Sequence, residues 1–142
     1  MSMSVSVWLV REVYRDPCDW AAGTIGVGRG ADALADALAG QVGRQARVSS
    51  VSIGEHSAVL VTMEVRDDVD LATCDEGEFR SWPPDRGRDA RAHARAGERD
   101  ELYVVQVGRR TVVIDAAYFD DADSDELAEI HRIVASIGFG AR

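Results

Sequence analysis

Cysteine occurs twice in the chain, each time followed at once by aspartate and soon afterwards by tryptophan: Cys18-Asp19-Trp20, and Cys74-Asp75 with Trp82 further on. Two such residues could close a disulfide, bind a metal, supply a nucleophilic thiolate or fill space. Neither stands in the Cys-x-x-Cys pairing on which zinc modules are built. A carboxylate beside each disfavours the thiolate form that nucleophilic chemistry requires. Both fall in loops after predicted strands, about 55 residues apart. Closing a loop of that length would stabilise the fold by roughly 4 kcal/mol. The pair therefore reads as a disulfide, a bond that persists outside the cytosol.

Other residues capable of chemistry point less sharply. His56, His93 and His131 are scattered along the chain, and their spacing matches no zinc module. Gly26, Gly28 and Ala31 fit the glycine positions of a dinucleotide loop, but no strand feeds directly into that turn and no parallel crossover follows. Asp121, Asp123 and Asp125 alternate as in a calcium loop, without the glycine and the distal acid such a loop needs. Acids at that point also suit the first turn of a helix. No Gly-x-Ser-x-Gly or His-Glu-x-x-His occurs. Asp115 lies in an otherwise apolar run, Val112 to Phe119, so its carboxylate is partly buried and must be paired or functional. With 16 arginines in the chain, a pair to one of them is the expected state. No catalytic, cofactor or metal residue is assigned.

The elements that would position these groups follow from periodicity. Residues 4–14 are a β-branched strand, stopped by Asp16-Pro17. A glycine-rich loop leads to an amphipathic helix at 31–42, with Leu34, Leu38 and Val42 on one face. Residues 47–66 form two strands turning at Gly54-Glu55, and 101–119 form a second hairpin turning at Gly108-Arg109. The latter is apolar on both faces, which places it centrally in a sheet. Between them, 67–100 reads as an irregular, arginine-rich excursion around Pro83-Pro84. A last helix at 124–137 carries Leu127, Ile130, Val134 and Ile137 on its buried stripe. The expectation is one α+β domain over 1–142, a mainly antiparallel sheet of about five strands with two helices, ordered β-α-β-β-β-β-α.

Composition narrows the partners. The 142 residues carry 25 acids against 16 bases, a net charge of −9. That argues against a nucleic-acid or anionic-membrane partner, which would call for a basic stripe. No run approaches the roughly 18 apolar residues of a membrane span. The start, MSMSVSVWLVREVYRD, has neither the basic region nor the cleavage site of a signal peptide. The chain is thus cytoplasmic, or the exported part of a longer protein, and the cysteines favour the second.

At these same residues the chain resembles a family of actinobacterial extracytoplasmic domains of unassigned function, often membrane- or lipid-anchored. The similar blocks are REVYRDPCDW, DALADALAGQVGRQA, DVDLATCDEGEFRSW and VVIDAAYFDDADSDELAEIHRIVASIGF. The resemblance covers nearly the whole chain. It implies an exported sensory or binding domain with Cys18 and Cys74 bridged, Trp20 and the Phe79-to-Trp82 block beside the bridge, and no catalytic residues. More loosely, the closing strand and helix are similar to PsbP-like α/β/α sandwiches. Two functions stay open. One is a non-enzymatic extracytoplasmic module binding an unknown protein or small molecule through Trp20, Asp75, Arg80 and Trp82, since loop tryptophans favour recognition. The other is a small enzyme using Asp115 as acid or base.

Overall fold

A computed structural model describes residues 3–26, 30–93 and 95–139. The chain begins with strands β1 (Met3–Leu9), β2 (Glu12–Tyr14) and β3 (Thr24–Gly26), then helix α1 (Ala31–Ala39). Strands β4 (Arg44–Ile53) and β5 (His56–Val65) follow, then β6 (Phe79–Arg80) and β7 (Ala92–His93). Strands β8 (Glu98–Val107) and β9 (Arg110–Phe119) and helix α2 (Ser124–Ala135) complete it. Five strands make one antiparallel sheet in the order β1-β9-β8-β5-β4, so the β8–β9 hairpin supplies its middle.

The α+β class, the antiparallel sheet, the two helices and the single domain are as the periodicity indicated. The strand count and order are corrected. The described residues form nine strands, because β2 pairs β3 and β6 pairs β7 in two small separate sheets. Runs of two or three residues carry no alternation from which to read a strand; distant contacts hold them in place. The stretch 67–100 is also more regular than expected, with two 3₁₀ turns and β6 and β7 inside it, and β8 beginning at Glu98.

Alternation along β8 separates two cores. Leu102 and Val104 join Val61, Met63 and Val113 beneath Leu34 and Leu38 of α1. Tyr103 and Val105 join Ile114 and Ala116 beneath Ile130 and Val134 of α2. One helix covers each face, and each fully buried aliphatic side chain contributes roughly 1.5–3 kcal/mol. Helix α1 stops at Ala39, not at 42, and leaves Val42 exposed on the turn that follows. At α2, Asp123 accepts from the Glu126 N–H while Glu126 reaches back to the Asp123 N–H, a capping box. The alternating aspartates thus begin a helix. Gly43 has φ of 83°, and a Cβ there would meet the Phe79 ring at 3.1 Å. Only glycine lets the chain turn into β4 against that ring.

Candidate functional site

The two cysteine loops are joined. Cys18 and Cys74 form a disulfide with Cα atoms 4.3 Å apart, set against Phe79, Val65 and Leu71 in a small core of its own. The surrounding polar groups are used on one another. The Asp75 N–H donates to the Cys18 carbonyl, and the Arg80 N–H to the Pro17 carbonyl. Asp75 accepts from the Trp20 N–H at 2.8 Å, while the Trp20 indole donates to the Pro17 carbonyl. Tyr14 stacks on the Trp20 ring, and the Arg80 guanidinium lies 4.1 Å from its centroid. Glu78 and Glu76 neutralise Arg80. Trp20, Asp75 and Arg80 therefore gather at the bridge as a fastening. Trp82 does not join them: it is 4% exposed and packs edge-on against Trp8 in the main core.

Beneath the excursion lies a buried ionic network of which sequence reasoning singled out only Asp115, with His93 as an unplaced histidine. Arg91, from the arginine-rich stretch, inserts into the sheet. Its Nε donates to Asp115 at 2.5 Å, and its Nη2 donates to Glu98 at 2.9 Å and Asp100 at 2.8 Å. Arg44 enters from β4, donating to Gln41 and to the Ser81 hydroxyl at 2.6 Å. The hydroxyl and the His93 Nε2 lie 2.7 Å apart, and the His93 Nδ1 is 2.7 Å from Glu98. Since Arg44 fills a lone pair on Ser81, the hydroxyl donates to Nε2 and Nδ1–H donates to Glu98. This order assigns one neutral tautomer. Burial, with Arg44 and Arg91 nearby, pushes His93 below its ordinary value.

The serine, histidine and glutamate have the connectivity of a nucleophilic triad. Ser81 is only 1% exposed, however, and its oxygen already accepts from Arg44, so no substrate carbonyl can approach it. His93, Glu98 and Asp100 also bring three ligand atoms within 4.8 Å of one another. Arg91 already holds both acids, and Arg44 lies 3.4 Å from His93, so a further cation would meet two positive charges. Asp115, the candidate acid or base, is 1% exposed and bonded to Arg91. It is a structural partner for an arginine.

Asp100 adds a proton to this network. Burial, then the charge and hydrogen bond of Asp115, push it up to about 8. A carboxylic acid favoured in the fold binds a proton that the unfolded chain has lost, so stability falls as pH rises until the folded group ionises. His93 has the opposite sign, since its folded value lies below 6.5 and its contribution saturates there. Between about 6.5 and about 8 only the Asp100 slope remains. Unfolding free energy should fall by about 1.4 kcal/mol per pH unit at the lower end of that window and about half as steeply at its upper end. Asp100→Asn should flatten this limb in denaturant titrations; an unchanged slope would refute the assignment.

Two open features lie on the other face of the sheet. Helix α2 packs chiefly over β1 and β9, and open space remains on the β4–β5 side. A concavity of about 490 Å³ results, walled by Val51, Ile53, Leu60 and Val134, with Glu101 at its floor. Glu101 accepts from the Tyr103 hydroxyl at 2.6 Å and the Tyr118 hydroxyl at 3.1 Å, and the His131 Nε2 is 2.9 Å away. Burial and then Glu101 push Tyr118 up to about 12, so both phenols remain donors. Thr62 also lines a second concavity of about 360 Å³ that includes Arg47, Glu64 and Arg99. The two form a trough, apolar at one end and basic at the other. Arg47 makes no ion pair among the described residues, whereas Arg99 lies 3.4 Å from Glu64.

The histidines do not converge: His56 lies against Phe139, His93 is in the ionic network, and His131 is on the trough. Of the dinucleotide-loop residues, Gly28 lies outside the described residues. Among the described residues no helix is long and apolar enough to cross a membrane. Comparisons with protein-family profiles, curated proteins and solved structures find no match to this chain.

Proposed function

We infer that the chain is an extracytoplasmic binding module, non-enzymatic and stapled by Cys18–Cys74. Its site is the trough beside α2, which receives a small molecule with an apolar body and an anionic group. One observation carries the reading. Open space, apolar walls and Arg47, a cation without an ion pair among the described residues, meet at this trough, whereas the acids, the histidine and the serine suited to catalysis are sealed in the core. The compartment is supported by the disulfide and by the resemblance of the Cys-Asp blocks to actinobacterial extracytoplasmic domains. The PsbP-like likeness is kept as a proposal of fold alone, motivated by one helix on each face of the sheet. A net charge of −9 disfavours nucleic acid as the partner.

The dye 8-anilinonaphthalene-1-sulfonate has both features of such a molecule, a fused apolar ring and one fixed anion. Saturable fluorescence enhancement is expected. Leu60→Glu, at a half-buried position on the trough wall, should weaken binding at least about tenfold, or roughly 1.4 kcal/mol, and leave the melting midpoint nearly unchanged. Arg47→Ala should weaken it less. Dye binding that ignores both substitutions, or no saturable binding at all, would sink the proposal.

A further inference from the structure

The two edges of the sheet are finished differently. At β1 the Arg88 side chain donates to the Val7 carbonyl at 2.6 Å and covers the neighbouring Trp8 ring, 3.6 Å from its centroid. A cation placed on an edge carbonyl blocks a further strand there. Strand β4, at the other edge, is ten residues long and pairs with β5 in unbroken register from Arg44 to Ile53. It contains no proline, glycine or bulge, and its only exposed charge is Arg47. Among the described residues its backbone makes no hydrogen bond outside the β5 ladder.

The turn fixes which groups face outward. Gly54 and Glu55 form a two-residue turn, so Ile53 and His56 are a hydrogen-bonded pair. Alternate residues Ser52, Ser50, Val48 and Ala46 therefore point N–H and C=O away from the sheet. Val48 is also 46% exposed, and the remaining side chains of this row are alanine and serine.

We propose that β4 is a self-association edge, on which a second copy of this chain lays its own β4 antiparallel to build one continuous sheet of ten strands. Three observations favour a copy over another occupant. In a chain of net charge −9 this edge carries no acid, so like-charge repulsion between copies is weakest there. The strand is also self-complementary. A two-fold axis through Ser49 keeps each face with its own kind, sets Val48 opposite Ser50 of the partner subunit in a hydrogen-bonded pair, and brings no like charges face to face. Third, the concavities of about 940, 490 and 360 Å³ all have β4 residues on their rims. A second copy supplies the wall that each lacks. The pairing stands on β4 alone, and it survives if the dye never binds the trough.

Light scattering on the intact, oxidised protein at about 100 µM reads the answer. The mass expected is twice 15.4 kDa, falling to once that value in Ser50→Pro, which removes an outward N–H without touching the β5 ladder. Val48→Lys, at an exposed position, is the second variant and should do the same with its melting midpoint intact. Ser49→Cys should form a disulfide with its mate under mild oxidation, because non-hydrogen-bonded pairs across an antiparallel ladder sit within bridging distance. A monomeric wild type would overturn the proposal. So would a dimer whose mass neither Ser50→Pro nor Val48→Lys changes.

Discussion

Arg91→Met is expected to destabilise the protein by about 3–5 kcal/mol, a large fraction of the 5–15 kcal/mol that holds a domain of this kind together. Among the described residues the arginine forms ion pairs with Glu98, Asp100 and Asp115 together. Methionine fills much of the same volume but withdraws the charge that three buried carboxyl groups share, leaving among the described contacts Arg44, 3.8 Å from Asp100, and the His93 Nδ1–H on Glu98. Breaking such a pair from one side costs more than the pair contributed, because the remaining charges stay out of water. The loss should depend on pH. Without Arg91 the folded state favours the protonated acids, so the variant should recover as pH falls toward about 5 and lose most above neutrality. Urea midpoints at both ends of that range test this. Adding Asp115→Leu should restore part of the loss by removing one unpaired charge. If Arg91→Met unfolds like the wild type at every pH, the network does not hold the excursion down.

That network also marks where the sequence stops being informative. The β4–β5 and β8–β9 hairpins were legible because Gly54-Glu55 and Gly108-Arg109 each separate two long runs of strand-forming residues. Helix α2 was legible from the four-residue recurrence of its apolar positions and the acids at its start. The disulfide was legible because only two cysteines exist and neither has metal spacing. Asp115 stood out as an acid in an apolar strand, and its pairing to an arginine could be expected. Which of 16 arginines it meets could not. Arg91 and His93 sit in a run of arginine, alanine and glycine that has every mark of a solvated loop, and they are buried only because Asp100 and Asp115 lie opposite in β8 and β9. Trp82 misled in the other direction. A tryptophan in a loop suggested a recognition surface, yet the chain turns it inward against Trp8. The trough was not legible either, because Glu101 meets Tyr118 and His131 across 17 and 30 residues of chain and three separate elements.

Cys18→Ser is expected to lower stability by about 4 kcal/mol and the melting midpoint by roughly 10–15 °C. The bridge spans 56 residues, which include α1, the β4–β5 hairpin and the first part of the excursion. Most of its effect arises in the unfolded chain, where the closed loop has far fewer conformations. The folded contacts beside it cannot take its place: chiefly two backbone bonds, from Asp75 and Arg80, the Trp20–Asp75 bond and the Arg80 guanidinium over the Trp20 ring. The ionic network on Arg91 fastens the far side of the excursion, so the reduced protein should remain folded at room temperature with its 3₁₀ turns loosened. Hydrogen exchange should then rise at 71–78 and stay slow in β8. Reductant should lower the wild-type midpoint by the same amount and leave Cys18→Ser unmoved, a comparison that separates the bond from any effect of serine itself. Titration of the denatured, unreduced protein should find no free thiol. Two reactive thiols per chain would remove the bridge, and with it the main physical reason for placing this protein outside the cytosol.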